Sequence, residues 1–314
     1  MNYKIIKYQP KFKQQWDDFV RTSKNATFLF YRDFMEYHSD RFTDHSLMVF
    51  KKEKIQAILP GHTLESTYCS HLGLTYGGLI FNESMGLDEV NTSFEAVKSY
   101  LKEKGYDELL IKVLPMPYQS EYSSALEYVM FSNKAHLQRR DLNYFIDLEK
   151  PLQIHKSKLK FKKKGLWEEL KIVKTSNSDS FWNDLLIPVL KEQYGNAPVH
   201  STSEIKQLMN QFPDNIIQYN VLLNNELIAG MTLFISGNTV KSQYGVVNAI
   251  GKEYRALDYL YISLLEYFKK QGFSHFDLGT TNTGDGTTYN KGLSKYKEEF
   301  GAKPYNQDRY LIKL

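Results

Sequence analysis

The histidine and cysteine side chains of this 314-residue chain set the first limits on its chemistry. The eight histidines are scattered, and none stands four residues from another histidine beside a carboxylate, so their spacing predicts no metal site. The single cysteine, Cys69, excludes an internal disulfide, and we interpret it as a buried, inert thiol. His200 is a candidate base, because an unperturbed imidazole titrates near neutral pH.

The basic side chains are concentrated in one segment. The chain has 40 Lys and Arg against 36 Asp and Glu, a net charge of +4, and residues 156–164 hold six of the lysines. Elsewhere 34 basic residues face 36 acidic ones, so the charge is a local feature rather than an extended nucleic-acid-binding surface. Leu159 and Phe161 interrupt the run, which is typical of a helix with solvated lysines; a contact with tRNA or phosphate is the alternative.

The length and composition predict a folded protein of about two domains. Apolar residues make up 42% of the chain, enough for a sizeable core. The first residues lack the apolar core of a signal peptide, and no stretch approaches the roughly 20 apolar residues of a membrane span. We therefore expect a cytoplasmic protein.

The sequence contains two copies of the helix and strand pattern that would position an active site. Residues 91–104 have the apolar spacing of a helix that stops at Gly105 and leads into a strand over 108–114. Residues 257–268 repeat this pattern, stop at Gly272 and lead into a strand over 273–279.

Matching segments precede both of these helices. Each half is predicted to open with a helix and to continue with a hairpin and a further strand. In the first half these are the helix 12–20, the hairpin 46–59 and the strand 74–80. In the second half they are the helix 181–193, the hairpin 217–234 and the strand 240–247. The strand, helix and second strand can form a parallel crossover. Because the whole order repeats, we favour a duplicated α/β unit over coincidence between two generic segments. Pro151 and the lysine run place the boundary after residue 150.

Residues near the end of the second half carry a family resemblance. Asp277 and Gly279 end a predicted strand, and Gly292, Lys297 and Gly301 follow in a segment that resembles the signature of FemABX-type transferases. Residues 156–165 are similar to the basic helix that opens the second domain in that family. The resemblance implies two tandem GNAT-like domains, 1–150 and 151–314, around a central cleft.

The same resemblance implies transfer of acyl or aminoacyl groups to an amine. Lys297 is then predicted to stabilise the oxyanion or the leaving group, and Tyr244 to orient the acceptor. A surface lysine paired with Glu298 or Glu299, and a core tyrosine, are the alternatives. Tyr296 and Phe300 stand four residues apart, so they are expected to anchor one helical face and leave Lys297 off it.

The donor is expected at the start of the helix after residue 247. In GNAT folds phosphates lie at that helix N-terminus, which implicates Arg255, Ala256, Leu257 and Asp258. The usual glycines are absent here, and Asp258, predicted as the N-cap, would oppose a diphosphate. The sequence signal for acyl-CoA as the donor is therefore weak, and aminoacyl-tRNA is the alternative donor. Arg255 could instead be a surface or salt-bridge residue.

The acceptor is expected to contact Arg32, Tyr76, His200 and Tyr296. Members that bind nucleotide sugars carry an arginine where residues 196–205 here have none, which argues against a UDP-linked peptidoglycan precursor. Asp277 could be a base, but we favour a structural role in which it binds the loop that follows.

Together these residues predict an acyltransferase acting on an amine of a small molecule, sugar, lipid or peptide. An aminoacyl-tRNA-dependent transferase of cell-envelope synthesis is the first alternative, with a small-molecule or envelope-precursor acceptor in either case. A non-catalytic member of the fold that binds a ligand is the second.

Overall fold

The computed structural model describes residues 3–314, with Tyr194 described by its backbone alone. The strands are β1 (Tyr3–Lys7), β2 (Leu47–Lys51), β3 (Lys54–Leu59), β4 (His62–Leu64), β5 (Thr67–Cys69), β6 (Ile80–Phe81), β7 (Glu108–Lys112), β8 (His136–Asp147), β9 (Leu170–Thr175), β10 (Ile216–Leu223), β11 (Glu226–Ser236), β12 (Thr239–Val247), β13 (His275–Thr280), β14 (Asn282–Thr283), β15 (Thr288–Tyr289) and β16 (Lys303–Lys313). The helices are α1 (Lys13–Arg21), α2 (Arg32–Met35), α3 (Leu87–Glu103), α4 (Ala125–Ser132), α5 (Lys156–Lys163), α6 (Ile187–Tyr194), α7 (Thr202–Gln211), α8 (Ala249–Glu253), α9 (Ala256–Lys270) and α10 (Lys291–Glu298). Among the described residues, no helix combines the length and the apolar character needed to cross a membrane.

The chain divides into two compact units. Among the described residues, the first contains 3–142, 282–288 and 306–314, and the second contains 143–281 and 289–305. The first unit takes residues 306–314 because this part of β16 pairs antiparallel with β7, with Arg309 opposite Lys112. The domain boundary after residue 150 stays a prediction.

In the first unit, helices α3 and α4 pack against strands that belong to two sheets. One sheet has the strand order β1-β2-β3-β6, and β4, β5, β7 and β16 follow one another in the other. Helices α3 and α4 bury apolar faces that include Phe94, Val97 and Leu126 against strand residues such as Val49 and Ile111. The expected hairpin of residues 46–59 is confirmed in β2 and β3.

The second unit is built on a longer run of neighbouring strands. Its strands run in the order β13-β12-β11-β10-β9, and the end of β8 pairs with the outer edge of β13. Helix α9 buries Leu260, Leu264 and Phe268, and a π-helical segment (Ser180–Leu186) buries Phe181 and Trp182 before α6. Apolar side chains recur every three or four residues in α9, as the sequence pattern predicts.

Both units repeat the helix-glycine-strand order. Gly105 follows α3 with φ of +83° and leads into β7, and Gly272 follows α9 with φ of +84° and leads into β13. These left-handed positions favour glycine and end the helices as predicted. The strand predicted over residues 74–80 is wrong: only Ile80 and Phe81 are extended in a sheet, because Gly78 turns the chain with φ of +90°.

A histidine cluster occupies one region of the first unit. His38, His62 and His71 are all buried. The ring centroid of His71 lies 5.0 Å from that of His38 and 5.4 Å from that of His62. Phe42 packs against all three rings. Burial, reinforced by the neighbouring histidines, Lys112 and Arg32, lowers the pKa of His71 to about 2. His71 is therefore neutral at physiological pH.

We expect this cluster to make the fold less stable in mild acid. Above pH 6.5, His71 is neutral in both folded and unfolded chains, so its contribution is fully present. Below pH 6.5, His71 binds a proton in the unfolded chain but not in the folded chain. The free energy of unfolding therefore falls as the pH drops toward the folded-state pKa of about 2. Between pH 7 and pH 5 the loss from this one residue is about 2 kcal/mol.

Urea unfolding of His71→Asn at both pH values tests this expectation. Asparagine tolerates the left-handed backbone at this position, where φ is +61°. The variant should lose much of the pH dependence, whereas His136→Asn, which changes an exposed histidine, should keep it. Equal pH dependence in wild type and His71→Asn would exclude His71 as the source.

Candidate active site

The second unit opens where strands β12 and β13 diverge. They pair in parallel at only three positions, which join Thr239 to His275, Val240 to Phe276 and Lys241 to Asp277. Beyond Lys241, β12 pairs with β11 and continues to Val247 without a partner on the β13 side among the described residues. The candidate catalytic residues Tyr244 and Lys297 belong to elements on the two sides of this divergence.

Asp277 closes the paired part of the two strands. Its side chain is fully buried, one carboxylate oxygen lies 3.0 Å from Lys241 Nζ, and the other accepts a 2.7 Å hydrogen bond from the Gly279 backbone N–H. Gly279 has φ of +73° and sits at a β-bulge, where the register with β8 shifts. The geometry supports the structural role that we favoured for Asp277.

Lys297 projects from α10 onto the turn that Asp277 holds. Its Nζ donates hydrogen bonds of 2.7 Å to the Gly279 carbonyl and 2.8 Å to the Thr280 carbonyl, and the residue is 5% exposed. Burial lowers the pKa of Lys297 to about 7, against the opposing attraction of Asp277. The alternative of a surface lysine paired with Glu298 or Glu299 is therefore wrong.

The neighbours of Lys297 on α10 anchor the helix as predicted. Tyr296 and Phe300 have ring centroids 5.2 Å apart, and Phe300 is fully buried. Glu299 instead lies 3.4 Å from Lys158, and Glu298 accepts a hydrogen bond from Tyr144. An ammonium that titrates near pH 7 can either hold its charge beside an oxyanion or release a proton, so its position suits acyl transfer.

Tyr244 and His200 come together in the fold. The Tyr244 hydroxyl lies 2.7 Å from His200 Nδ1, and the Tyr244 ring packs edge-on against Trp182. Burial raises the pKa of Tyr244 to about 12, so the phenol is neutral at physiological pH. The sequence offered no signal for this pairing, because 44 residues separate the two side chains.

The start of α9 differs from the expectation in one detail. Arg255, not Asp258, is the N-cap, with a left-handed backbone at φ of +54°, and Asp258 stands three residues later. An acidic side chain in the first turn stabilises the helix dipole. The Asp258 carboxylate is 3.0 Å from Arg255 Nε and accepts a 2.8 Å hydrogen bond from the Tyr296 hydroxyl.

Lys158 completes this network and is the residue that the sequence reasoning missed. Its ammonium is buried 3.4 Å from Asp258 and 3.4 Å from Glu299, and it lies 3.7 Å from the centre of the Tyr296 ring. Burial lowers the pKa of Lys158. The available signal was Lys158 itself, one lysine of the run on the apolar side of α5, while most of its neighbours are exposed.

A pocket of about 290 Å³ opens beside the first turn of α9. Its lining residues are Lys158, Val247, Gly251, Lys252, Arg255, Leu257, Asp258 and Tyr296. Ala256, the fourth residue predicted for the donor, is buried beneath the turn. Three cations face one carboxylate that already has partners, so these residues fit an anionic group at a helix N-terminus.

Two predicted acceptor residues lie in the first unit and are enclosed there. The Arg32 guanidinium is 1% exposed, packs 3.7 Å from the centre of the Tyr8 ring, and pairs with Glu36 and Asp44. Tyr76 is 2% exposed and contacts the Phe30 and Tyr118 rings. These surroundings give Arg32 and Tyr76 packing roles in the first unit, and their contact with an acceptor stays a prediction.

Comparison with known proteins agrees with this reading of the second unit. Residues 186–298 match the family model described as the acetyltransferase (GNAT) domain. That segment includes the diverging strands, the start of α9 and Lys297. No curated protein matches the chain.

Solved structures extend the likeness over the whole chain. FemX is 10% identical with a TM-score of 0.71, over 99% of this chain and 97% of that one. A tandem GNAT protein from the clavulanic acid biosynthesis pathway is 12% identical with a TM-score of 0.56, over 99% and 98%. The C-terminal domain of a putative lysylphosphatidylglycerol synthetase from Agrobacterium fabrum is 12% identical with a TM-score of 0.61, over 96% and 92%. The predicted resemblance to FemABX-like tandem GNAT proteins and the predicted fold class are confirmed.

The network around Asp258 predicts that two substitutions lower the free energy of unfolding by unequal amounts. Asp258→Asn should lower the free energy of unfolding by about 3 kcal/mol, because it leaves the buried Lys158 ammonium with Glu299 as its remaining carboxylate. Lys158→Met should cost less, because methionine fills the space over the Tyr296 ring and Asp258 keeps Arg255 and Tyr296. Urea unfolding at pH 7 measures both, and an equal or larger loss in Lys158→Met would contradict this account.

Proposed function

We propose that this chain is an acyltransferase that moves an acyl or aminoacyl group from an activated donor onto an amine. The observation that carries the proposal is the pocket at the start of α9, where Lys158, Lys252 and Arg255 surround the first turn of the helix. All residues that line this pocket except Lys158 lie within the segment that matches the GNAT domain. Lys158 lies outside that segment and contacts Asp258 within it.

Acyl-CoA is the donor that this pocket fits best. Backbone N–H groups and the dipole at a helix N-terminus attract phosphate, and arginine and lysine add charge-assisted hydrogen bonds. Asp258 does not oppose the phosphates as strongly as its charge implies, because Lys158 and Arg255 offset it. Lys252 is exposed at the pocket and is the cation best placed to meet an incoming phosphate.

An aminoacyl-tRNA donor is the second candidate. Helix α5 exposes a set of lysines that could contact a polyanion, and the fold resembles that of a domain named for lysyl transfer to a lipid. The acceptor on either route is an amine of a small molecule, sugar, lipid or peptide, including an envelope precursor.

The chemistry assigns separate tasks to the donor pocket and Lys297. The neutral amine attacks the donor carbonyl, which forms the C–N bond and places negative charge on the carbonyl oxygen. Collapse of this intermediate breaks the C–S bond of a thioester, and the thiolate takes a proton from the Lys297 ammonium. The nitrogen of the new amide gives its surplus proton to the neutral lysine, which restores the starting state. Tyr244, held by His200, orients the acceptor.

The donor site is tested by transfer assays with acetyl-CoA, a longer acyl-CoA and lysyl-tRNA against a panel of labelled amines. With an acyl-CoA donor, Lys252→Ala and Arg255→Ala should each raise the donor KM about tenfold, because each removes one charge-assisted hydrogen bond. Lys162→Ala is the matched control, since Lys162 pairs with Glu266 away from this pocket and its loss should leave the KM unchanged.

The outcomes separate the candidates. An unchanged acyl-CoA KM in both pocket variants would contradict phosphate binding at α9. Transfer from lysyl-tRNA alone would favour the second candidate, and binding of donors without any transfer would favour a non-catalytic protein.

Lys297→Met tests the catalytic assignment. It should lower kcat at least about tenfold, because it removes the ammonium that protonates the leaving thiolate. The Tm should stay nearly unchanged, because removal of a poorly solvated ammonium offsets the loss of its hydrogen bonds to the Gly279 and Thr280 carbonyls. The ammonium is lost as pH rises through its pKa of about 7, so wild-type kcat should fall over that range while the variant shows no such inflection.

Lys295→Met is the control on the same helix, because Lys295 is exposed. Full activity in Lys297→Met, or an equal loss in Lys295→Met, would remove Lys297 from the mechanism.

A further inference from the structure

Two cations face each other across neighbouring strands of the first unit. In the antiparallel pairing of β7 and β16, Lys112 stands directly opposite Arg309. Like charges at directly opposed positions destabilise a sheet. The other face of these strands carries core residues such as Ile111 and Ile312, so the two cations share the face that turns away from the core.

A third cation approaches from the other side of β16. Strand β8 flanks β16 there, and Arg139 of β8 lies near enough to lower the pKa of Arg309 through charge repulsion, in addition to burial. Burial, Arg309 and Arg139 together lower the pKa of Lys112 to about 8. The three residues Lys112, Arg139 and Arg309 are called the cationic cluster below.

The carboxylates near the cationic cluster do not balance it. Asp141 accepts a 2.8 Å hydrogen bond from Arg139 Nε, and it also attracts Lys112 and Arg309, so one carboxylate serves three cations. Asp285 adds a weaker attraction for Arg139, but its carboxylate binds Thr287 and is exposed. The Cys69 thiol is also close, yet burial raises its pKa and keeps it neutral. Neither carboxylate forms an ion pair with Lys112 or Arg309 within the described residues.

The donors of the cluster are also incompletely used. Lys112 Nζ reaches the carbonyl oxygens of Leu72, at 3.3 Å, and Leu74. Arg309 Nε is buried and has no hydrogen-bond partner among residues 3–314. All three residues remain partly exposed, so an oxygen brought by a ligand can reach the face that carries them.

We propose that the cationic cluster is a binding site for an oxyanion, a phosphate or carboxylate group carried by a small-molecule ligand. A guanidinium fork matches the paired oxygens of either group, and the Lys112 ammonium supplies a point charge beside it. The bound oxyanion offsets the repulsion between Lys112, Arg139 and Arg309 that one carboxylate, Asp141, compensates only in part. This site is independent of the acyl transfer proposed above.

Calorimetric titration and thermal unfolding of the full chain with sodium phosphate and with sodium acetate test the proposal. Sodium chloride at matched ionic strength removes the effect of general screening. Saturable binding of phosphate or acetate, with a rise in Tm beyond that in chloride, is expected, and the anion that binds more tightly identifies the source of the oxyanion. Arg309→Gln should weaken this binding at least about tenfold.

The variant has a second expected signature. Without anion, Arg309→Gln should melt at the same temperature as wild type or higher, because it relieves the repulsion with Lys112. Arg140→Gln is the matched control: it removes the same charge from the residue next to Arg139, but Arg140 is bound by Asp308 through two 2.7 Å hydrogen bonds. It should keep the wild-type Kd.

Three results would overturn the proposal. They are equal Tm in phosphate, acetate and chloride, an unchanged Kd in Arg309→Gln, and an equal weakening in Arg140→Gln. If Arg309→Gln fails to fold, Arg309→Lys keeps the charge and removes the guanidinium fork, and wild-type affinity in that variant would likewise overturn the assignment.

Discussion

The ion pair between Lys241 and Asp277 fixes the geometry on which the second unit depends. It joins the last paired positions of β12 and β13, and Asp277 also holds the Gly279 N–H. Because a buried carboxylate needs a cation and donors, the strands stay together at this point and separate beyond it. The turn at Gly279 then presents two carbonyl oxygens to Lys297. The proposed catalytic ammonium is therefore positioned by backbone atoms, which a side-chain rotation cannot displace.

Buried or half-buried amines recur in this protein, and each has a different set of partners. Lys297 is held by carbonyl dipoles, Lys158 by two carboxylates and an aromatic face, and Lys112 by carbonyls while facing another cation. The pKa falls in all three, because burial penalises the ammonium more than these partners stabilise it. Carbonyl dipoles leave a lysine able to exchange its proton near neutral pH. Carboxylates make the Lys158 site a structural clamp.

The sequence predicted the elements better than the contacts between them. Apolar spacing and the stopping glycines located α3 and α9, because local backbone preferences decide where helices end. The family motif pointed to Lys297 and to the face made by Tyr296 and Phe300. The pairing of His200 with Tyr244 and the burial of Lys158 depend on tertiary packing between distant segments, which no local pattern encodes. The strand predicted over residues 74–80 failed for a local reason, because Gly78 turns the chain within it.

The pairing of β7 with β16 has a consequence for synthesis on the ribosome. These strands lie almost two hundred residues apart in the chain, and every element of the second unit except the start of β16 is translated between them. A nascent first unit therefore carries an open strand edge at β7 while the second unit is being made. Such an edge can pair with the wrong chain, and long-range pairing is slow to form. The charged side chain of Lys112 opposes pairing of that edge with the same edge of a second nascent copy until β16 covers it.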